Sequence, residues 1–132
     1  MEEKSNDATP QRPEGNRVLY SQMVEMDLNK YINQIKNETS WVENDRNSLT
    51  LFKSETMRIV LMGLRARAEL KPHKANGVIS VHVLQGKISF NTDQQKSLLE
   101  KGHMIALQEN ITHSVVALED SFFLLTLAMK QL

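Results

Sequence analysis

The chain reads as an all-β protein, a sandwich or barrel of short strands with one helix ahead of it. Three observations support that expectation. After Asn47, runs rich in β-branched and large apolar residues follow one another, each bounded by a polar or glycine turn. Two of them, Met57–Ala66 and Phe122–Ala128, are apolar on both alternating faces, as strands are when each side is covered. The stripe with helical spacing, Leu28, Tyr31, Ile32 and Ile35, lies upstream of all of them.

In order, residues 1–16 hold two of the three prolines and almost no large apolar side chain, which predicts a disordered N-terminal arm. Residues 17–47 form a helix-containing extension. Val18–Tyr20 and Met23–Met26 are short extended pieces, and Asp27 caps a helix over Leu28–Lys36. Trp41, the one tryptophan, is a packing anchor, and Glu43–Asn47 is a polar turn. Residues 48–132 are the barrel. Its strands are expected at Leu49–Lys53, Met57–Ala66, Val78–Leu84, Lys87–Asn91, Met104–Leu107, His113–Leu118 and Phe122–Ala128. Gly86 ends one strand and starts the next. Asn91–Gln95 is a hairpin loop, and Lys101-Gly102 and Glu119-Asp120 are turns.

Composition excludes several classes of function. The 132 residues suit one domain, and 16 basic residues balance 16 acidic ones. No basic footprint addresses nucleic acid or an anionic membrane. With no cysteine there is no disulfide, thiol nucleophile or thiolate metal site. The start has no apolar leader and no apolar run approaches a membrane span, so a cytoplasmic protein is expected. There is no phosphate-cradling glycine loop and no Gly-x-Ser-x-Gly elbow. Strands that are apolar on both faces also predict a homodimer, the second copy covering what the helix does not.

Between Arg67 and Ala117 the spacing of histidines and glycines resembles the two motifs of a small single-domain cupin of the RmlC-like type. The first motif is Gly, five residues, His, one residue, His, three or four residues, Glu, six residues, Gly. His73 and Gly86 take the first His and the closing Gly, after Val83-Leu84-Gln85. The second motif is Gly, five residues, Pro, one residue, Gly, two residues, His, three residues, Asn, and Gly102 and His113 match its first Gly and its His. The resemblance covers roughly residues 49–130 and implies a double-stranded β-helix, the jelly-roll barrel of antiparallel strands. It also implies a divalent metal on three His and one Glu. This chain departs from that set: the opening Gly is Arg67, the second His is Ala75 and the Glu is Ile79. Pro, Gly and Asn of the second motif are Gln108, Asn110 and Ala117.

His73 and His113 are therefore the candidate site, as a degenerate metal site that holds a divalent ion weakly or not at all. Strand alternation puts Ile79, Val81 and Val83 on one face and His113, Val115 and Ala117 on another, both turned into the barrel. The expected ligand-binding set is His73, His113, Ile79, Val81 and Arg65. Arg65 belongs to a basic cluster with Arg67, Lys71 and Lys74 near the mouth. His82 falls on the opposite face and His103 on a surface turn; Glu69 and Glu109 are the carboxylates within reach of the mouth. The expected function is binding or sensing of a small molecule in an apolar pocket. The alternatives are a metal-dependent enzyme of isomerase or dioxygenase type with a reduced ligand set, and a closed-barrel structural or regulatory dimer.

Overall fold

A computed structural model describes residues 4–5 and 18–129. The expected arm, residues 1–16, lies outside them apart from Lys4–Ser5, which forms β1 and pairs with β2, Val18–Tyr20. Helix α1 runs Leu28–Asn37. The Asp27 carboxylate accepts from the Lys30 amide at 3.1 Å, as the sequence predicts for its first turn. A second short helix, α2 (Thr39–Glu43), carries Trp41 and was not expected from the sequence. The residues 23–26 that read as extended form no strand.

The barrel consists of two antiparallel sheets. The strands are β3 (Arg46–Lys53), β4 (Met57–Leu64), β5 (Glu69–His73), β6 (Gly77–Gln85), β7 (Lys87–Asn91), β8 (Lys96–Glu100), β9 (Met104–Leu107), β10 (His113–Ala117) and β11 (Ser121–Met129). One sheet has the order β3-β4-β11-β6-β9 and the other β5-β10-β7-β8. This is the expected jelly roll with its N-terminal helix. Two strands were missed, β5 and β8, and both are sheet edges. β5 carries Pro72, which has no amide to donate, and an edge is where a strand tolerates it. β3 begins inside the polar stretch that reads as a turn. There Asn47 is buried, its side-chain amide donating to Glu38 at 3.0 Å.

Two cores follow from alternation. Ile79, Val81, Val83, Ile88, Phe90, Val115 and Ala117 close the interior between the sheets. On the outer side of the five-stranded sheet, Ile32, Ile35 and Trp41 cover Leu49, Leu51, Leu61 and Phe122. The helices thus supply the second cover for β4 and the start of β11, where the sequence suggests two buried faces. No described helix is long and apolar enough to cross a membrane.

The four positions that the cupin motifs give to glycine all turn left-handed: Arg67 (φ 74°), Gly86 (88°), Gly102 (88°) and Asn110 (61°). At Gly86 the chain leaves one sheet for the other. Ser121 seals this corner: its Oγ accepts from the Lys87 amide at 3.0 Å and its hydroxyl faces the Glu119 carbonyl at 2.7 Å. A Cβ on Gly86 would run into Ser121 Oγ and the Asp120 carbonyl, whereas one on Gly102 meets nothing within 4 Å. Gly102→Ala should therefore cost only the left-handed backbone term, about 1–2 kcal/mol. Gly86→Ala should add overpacking to it and cost about 2–5 kcal/mol in all. Urea denaturation of the two variants beside the parent measures the difference, and equal losses would refute the role assigned to the Ser121 contact.

Candidate functional site

The site begins with an irregularity in β5. His113 pairs with His73, and two residues on, Val115 pairs with Leu70, so β5 spends three residues where β10 spends two. The extra residue is a β-bulge, a device that re-aims side chains at the rim of a barrel. It lets both Leu70 and His73 join the inward side, Leu70 against the core and His73 against His113. The two imidazoles lie 4.3 Å apart between ring centres, tilted by 58°. Phe90, from the neighbouring β7, stacks on His113 at 5.3 Å and 13°.

Each ring is held by the main chain. His73 Nδ1 lies 2.8 Å from the Lys71 carbonyl and His113 Nδ1 lies 2.9 Å from the Ile111 carbonyl. A carbonyl only accepts, so each Nδ1 carries the proton and, in the neutral ring, each Nε2 carries the lone pair. His73 is exposed and His113 is 4 % exposed. Burial lowers the His113 pKa below the usual histidine value. The Ile111 carbonyl opposes this and the neighbouring His73 adds to it.

A cleft of about 640 Å³ opens at the barrel mouth; Lys74 and Thr112, the chain neighbours of the two histidines, line it, but His73 and His113 themselves do not. Its walls are Phe90, Ile105, Leu107 and Ile111, with Lys74, Thr92, Asp93, Gln94, Gln95, Ser97, Asn110 and Thr112 around them. Of these, only Lys74 figures in the sequence expectation. The others come from the ends of β7, β8, β9 and β10, and which strand ends share a rim is set by topology. Ile79 and Val81 do face inward as expected, but at 3 % and 2 % exposure they belong to the packed interior and do not line the cleft.

Arg65 is a correction. It follows β4 at the end of the barrel where Ala117 closes on Arg67, a β10 length (roughly 13 Å) from His113. There its guanidinium lies 4.8 Å over the Trp41 ring and donates to the Trp41 carbonyl at 2.9 Å. Alternation does not carry past Leu64, where the strand ends. Glu69 is likewise at the far end, opposite Val116. His82 faces the outer side between Leu124 and Met104, and the His103 ring accepts the Glu100 amide at 3.2 Å in the β8–β9 turn.

The divalent metal implied by the fold does not fit this donor set. Two imidazoles are present, but Ala75 is packed against the core and Ile79 is inside it, and neither side chain has a lone pair. Among the described residues no group of three or more His, Asp or Glu is placed to hold an ion.

No protein-family model matches the sequence. No curated protein matches it either. Solved structures do match by shape. A conserved protein of unknown function from Streptococcus pyogenes superposes with a TM-score of 0.64 at 23% identity, over 68% of this chain and 79% of that one. A cupin superfamily protein from Desulfitobacterium hafniense gives 0.64 at 19%, over 67% and 81%. An RmlC-like cupin from Desulfovibrio desulfuricans gives 0.58 at 27%, over 63% and 81%.

The lowered pKa of His113 has a definite sign in stability. The ring stays neutral in the fold, so its contribution is full above the ordinary histidine value of 6.5 and is lost as pH falls through the lower folded value. The melting temperature should drop on acidification from about pH 7 to 5, and drop less in His113→Gln. Parallel curves for parent and variant would show that His113 does not contribute this dependence.

Proposed function

We propose that this chain, which shares the jelly-roll fold of solved cupins, binds a small molecule in the cleft at the barrel mouth. The observation that supports this is the imidazole pair, 4.3 Å apart, with both Nδ1 atoms engaged by main-chain carbonyls and with the chain neighbours Lys74 and Thr112 and the His113-stacked Phe90 lining the cleft. Neutral rings so oriented offer two acceptors and no donor, which suits hydroxyl or amide groups on a ligand. Phe90, Ile105 and Leu107 offer an apolar wall for its body. A cleft of about 640 Å³ is of the size that small ligands fill. The site is read as metal-independent, since two imidazoles alone leave a divalent ion short of the usual three protein ligands.

A second copy is the proposed partner. The helices leave the β6–β9 side of the five-stranded sheet uncovered, with Val78 43% and Met104 60% exposed. Sedimentation should show a dimer that Met104→Lys weakens; a monomer at all concentrations would refute this.

Two measurements on freshly purified protein test the binding reading. Elemental analysis should find far less than one divalent metal per chain. A thermal-shift screen of hydroxylated aromatic and alicyclic compounds should find stabilising ligands, worth about 2.7 kcal/mol at a hundredfold excess over Kd. A His73→Ala, His113→Ala double variant should lose that stabilisation. Stoichiometric metal that the double variant cannot hold would overturn the proposal in favour of a metal-dependent cupin enzyme.

A further inference from the structure

The edges of the two sheets are unequal. β5 carries Lys71 and Pro72, and β8 is bounded by Lys96 and Glu100; charges and proline keep an edge from pairing with another chain. Beside β3, the Tyr20 ring of β2 lies 6.5 Å from that of Phe52. β9, Met104-Ile105-Ala106-Leu107, has neither charge nor proline, and among the described residues it pairs only with β6.

The hydrogen-bond phase of β9 follows from the turn before it. Val83 donates its amide to the His103 carbonyl at 2.9 Å, one step beyond the pairs in which His82 faces Met104 and Val81 faces Ile105. Bonded and non-bonded pairs alternate in an antiparallel ladder, so Ile105 and Leu107 direct their amides and carbonyls at β6. Those of Met104 and Ala106 point out to the open edge.

An antiparallel copy of the same strand fits that edge in one register that uses both residues. Met104 then lies opposite the partner's Ala106, and Ala106 opposite the partner's Met104, each pair exchanging both of its bonds. The two-fold axis passes between Ile105 and the partner's Ile105. The side chains agree with this register. Met104, 60% exposed on the outer face, comes to lie beside the partner's Ala106, large against small. Ile105 faces inward opposite Val81 and walls the cleft, so the partner's Ile105 joins that wall.

We propose that a second copy pairs with this chain edge to edge along β9, joining the two five-stranded sheets into one, with the partner's Ile105 completing the apolar wall of each cleft. This rests on the dimer reading above and deepens it: main-chain pairing at the edge, rather than packing of outer sheet faces, holds the two copies together.

Ile105→Cys and Ala106→Cys, made singly in a chain that has no cysteine of its own, test the axis. At position 105 the two Cα atoms form a closely spaced non-hydrogen-bonded pair, roughly 4.5 Å apart, within the span of a disulfide. At position 106 they lie on the diagonal, farther than a disulfide reaches. With oxidised glutathione, Ile105→Cys should give the covalent dimer at least about tenfold faster than Ala106→Cys, although Ala106 is the more exposed residue. Hydrogen exchange reads the same edge in the parent. The amides of Met104 and Ala106 should exchange slowly where sedimentation shows a dimer and fast on dilution to monomer, while those of Ile105 and Leu107, held by β6, stay slow in both. If Ala106→Cys links as fast as Ile105→Cys, or if 104 and 106 exchange fast in a sample that sediments as a dimer, the edge pairing is overturned and the dimer reading passes to the sheet faces. A parent that sediments as a monomer at all concentrations overturns both.

Discussion

Everything in this barrel depends on four left-handed corners, at 67, 86, 102 and 110. A jelly roll must pass its chain repeatedly between two sheets, and four of the crossings here do so through a residue in the left-handed region. Two corners keep glycine. Asn110 occupies the third, a residue that tolerates the conformation, and Arg67 the fourth, with its amide donating to the Ala117 carbonyl at 2.7 Å. The corners are conformations first and residue types second. That is why the barrel persists where the motif letters do not. It is also why His73 still meets His113: Arg67 ties β5 to the far end of β10, and the bulge then sets the ring.

Within that frame the interior has been resolved in favour of packing. A metal centre at the mouth of such a barrel needs donors on the inward faces of β5, β6 and β10. Here β6 supplies Ile79 and Val81, and Ala75 precedes it, so the side of the pair where further donors would stand is hydrocarbon. Burying a carboxylate among these side chains without a cation would be strongly unfavourable, and burying an isoleucine is favourable. The two replacements therefore go together with a metal-free reading, since each removes the reason for the other donor.

What was legible in the sequence is what depends on period and local chemistry. Alternation placed Ile79, Val81 and Val83, and His113, Val115 and Ala117, on inward faces, and Asp27 announced α1. What was illegible depends on neighbours distant in sequence. β5 hides behind Pro72 and its charges, because an edge strand has no apolar run to display. α2 is too short to show a period and is held by Trp41 against Phe122, whose ring centre lies 4.9 Å away. Arg65 was misplaced by carrying alternation beyond the last paired residue of β4. Most of the cleft was invisible because its walls are loop and strand ends drawn together only by the two sheet orders.

The histidine pair remains the feature that packing alone does not account for. A sealed apolar core gains nothing from an imidazole at position 113, where an aliphatic side chain would bury more favourably. The ring instead has one nitrogen fixed by the Ile111 carbonyl and one face covered by Phe90. His73 repeats the arrangement with the Lys71 carbonyl, on a strand that needs a bulge to bring it there. Two rings independently oriented by the main chain form a pair organised before any ligand arrives. Such preorganisation reduces the ordering cost of binding, which is why the proposed binding reading is placed at the mouth rather than in the filled interior.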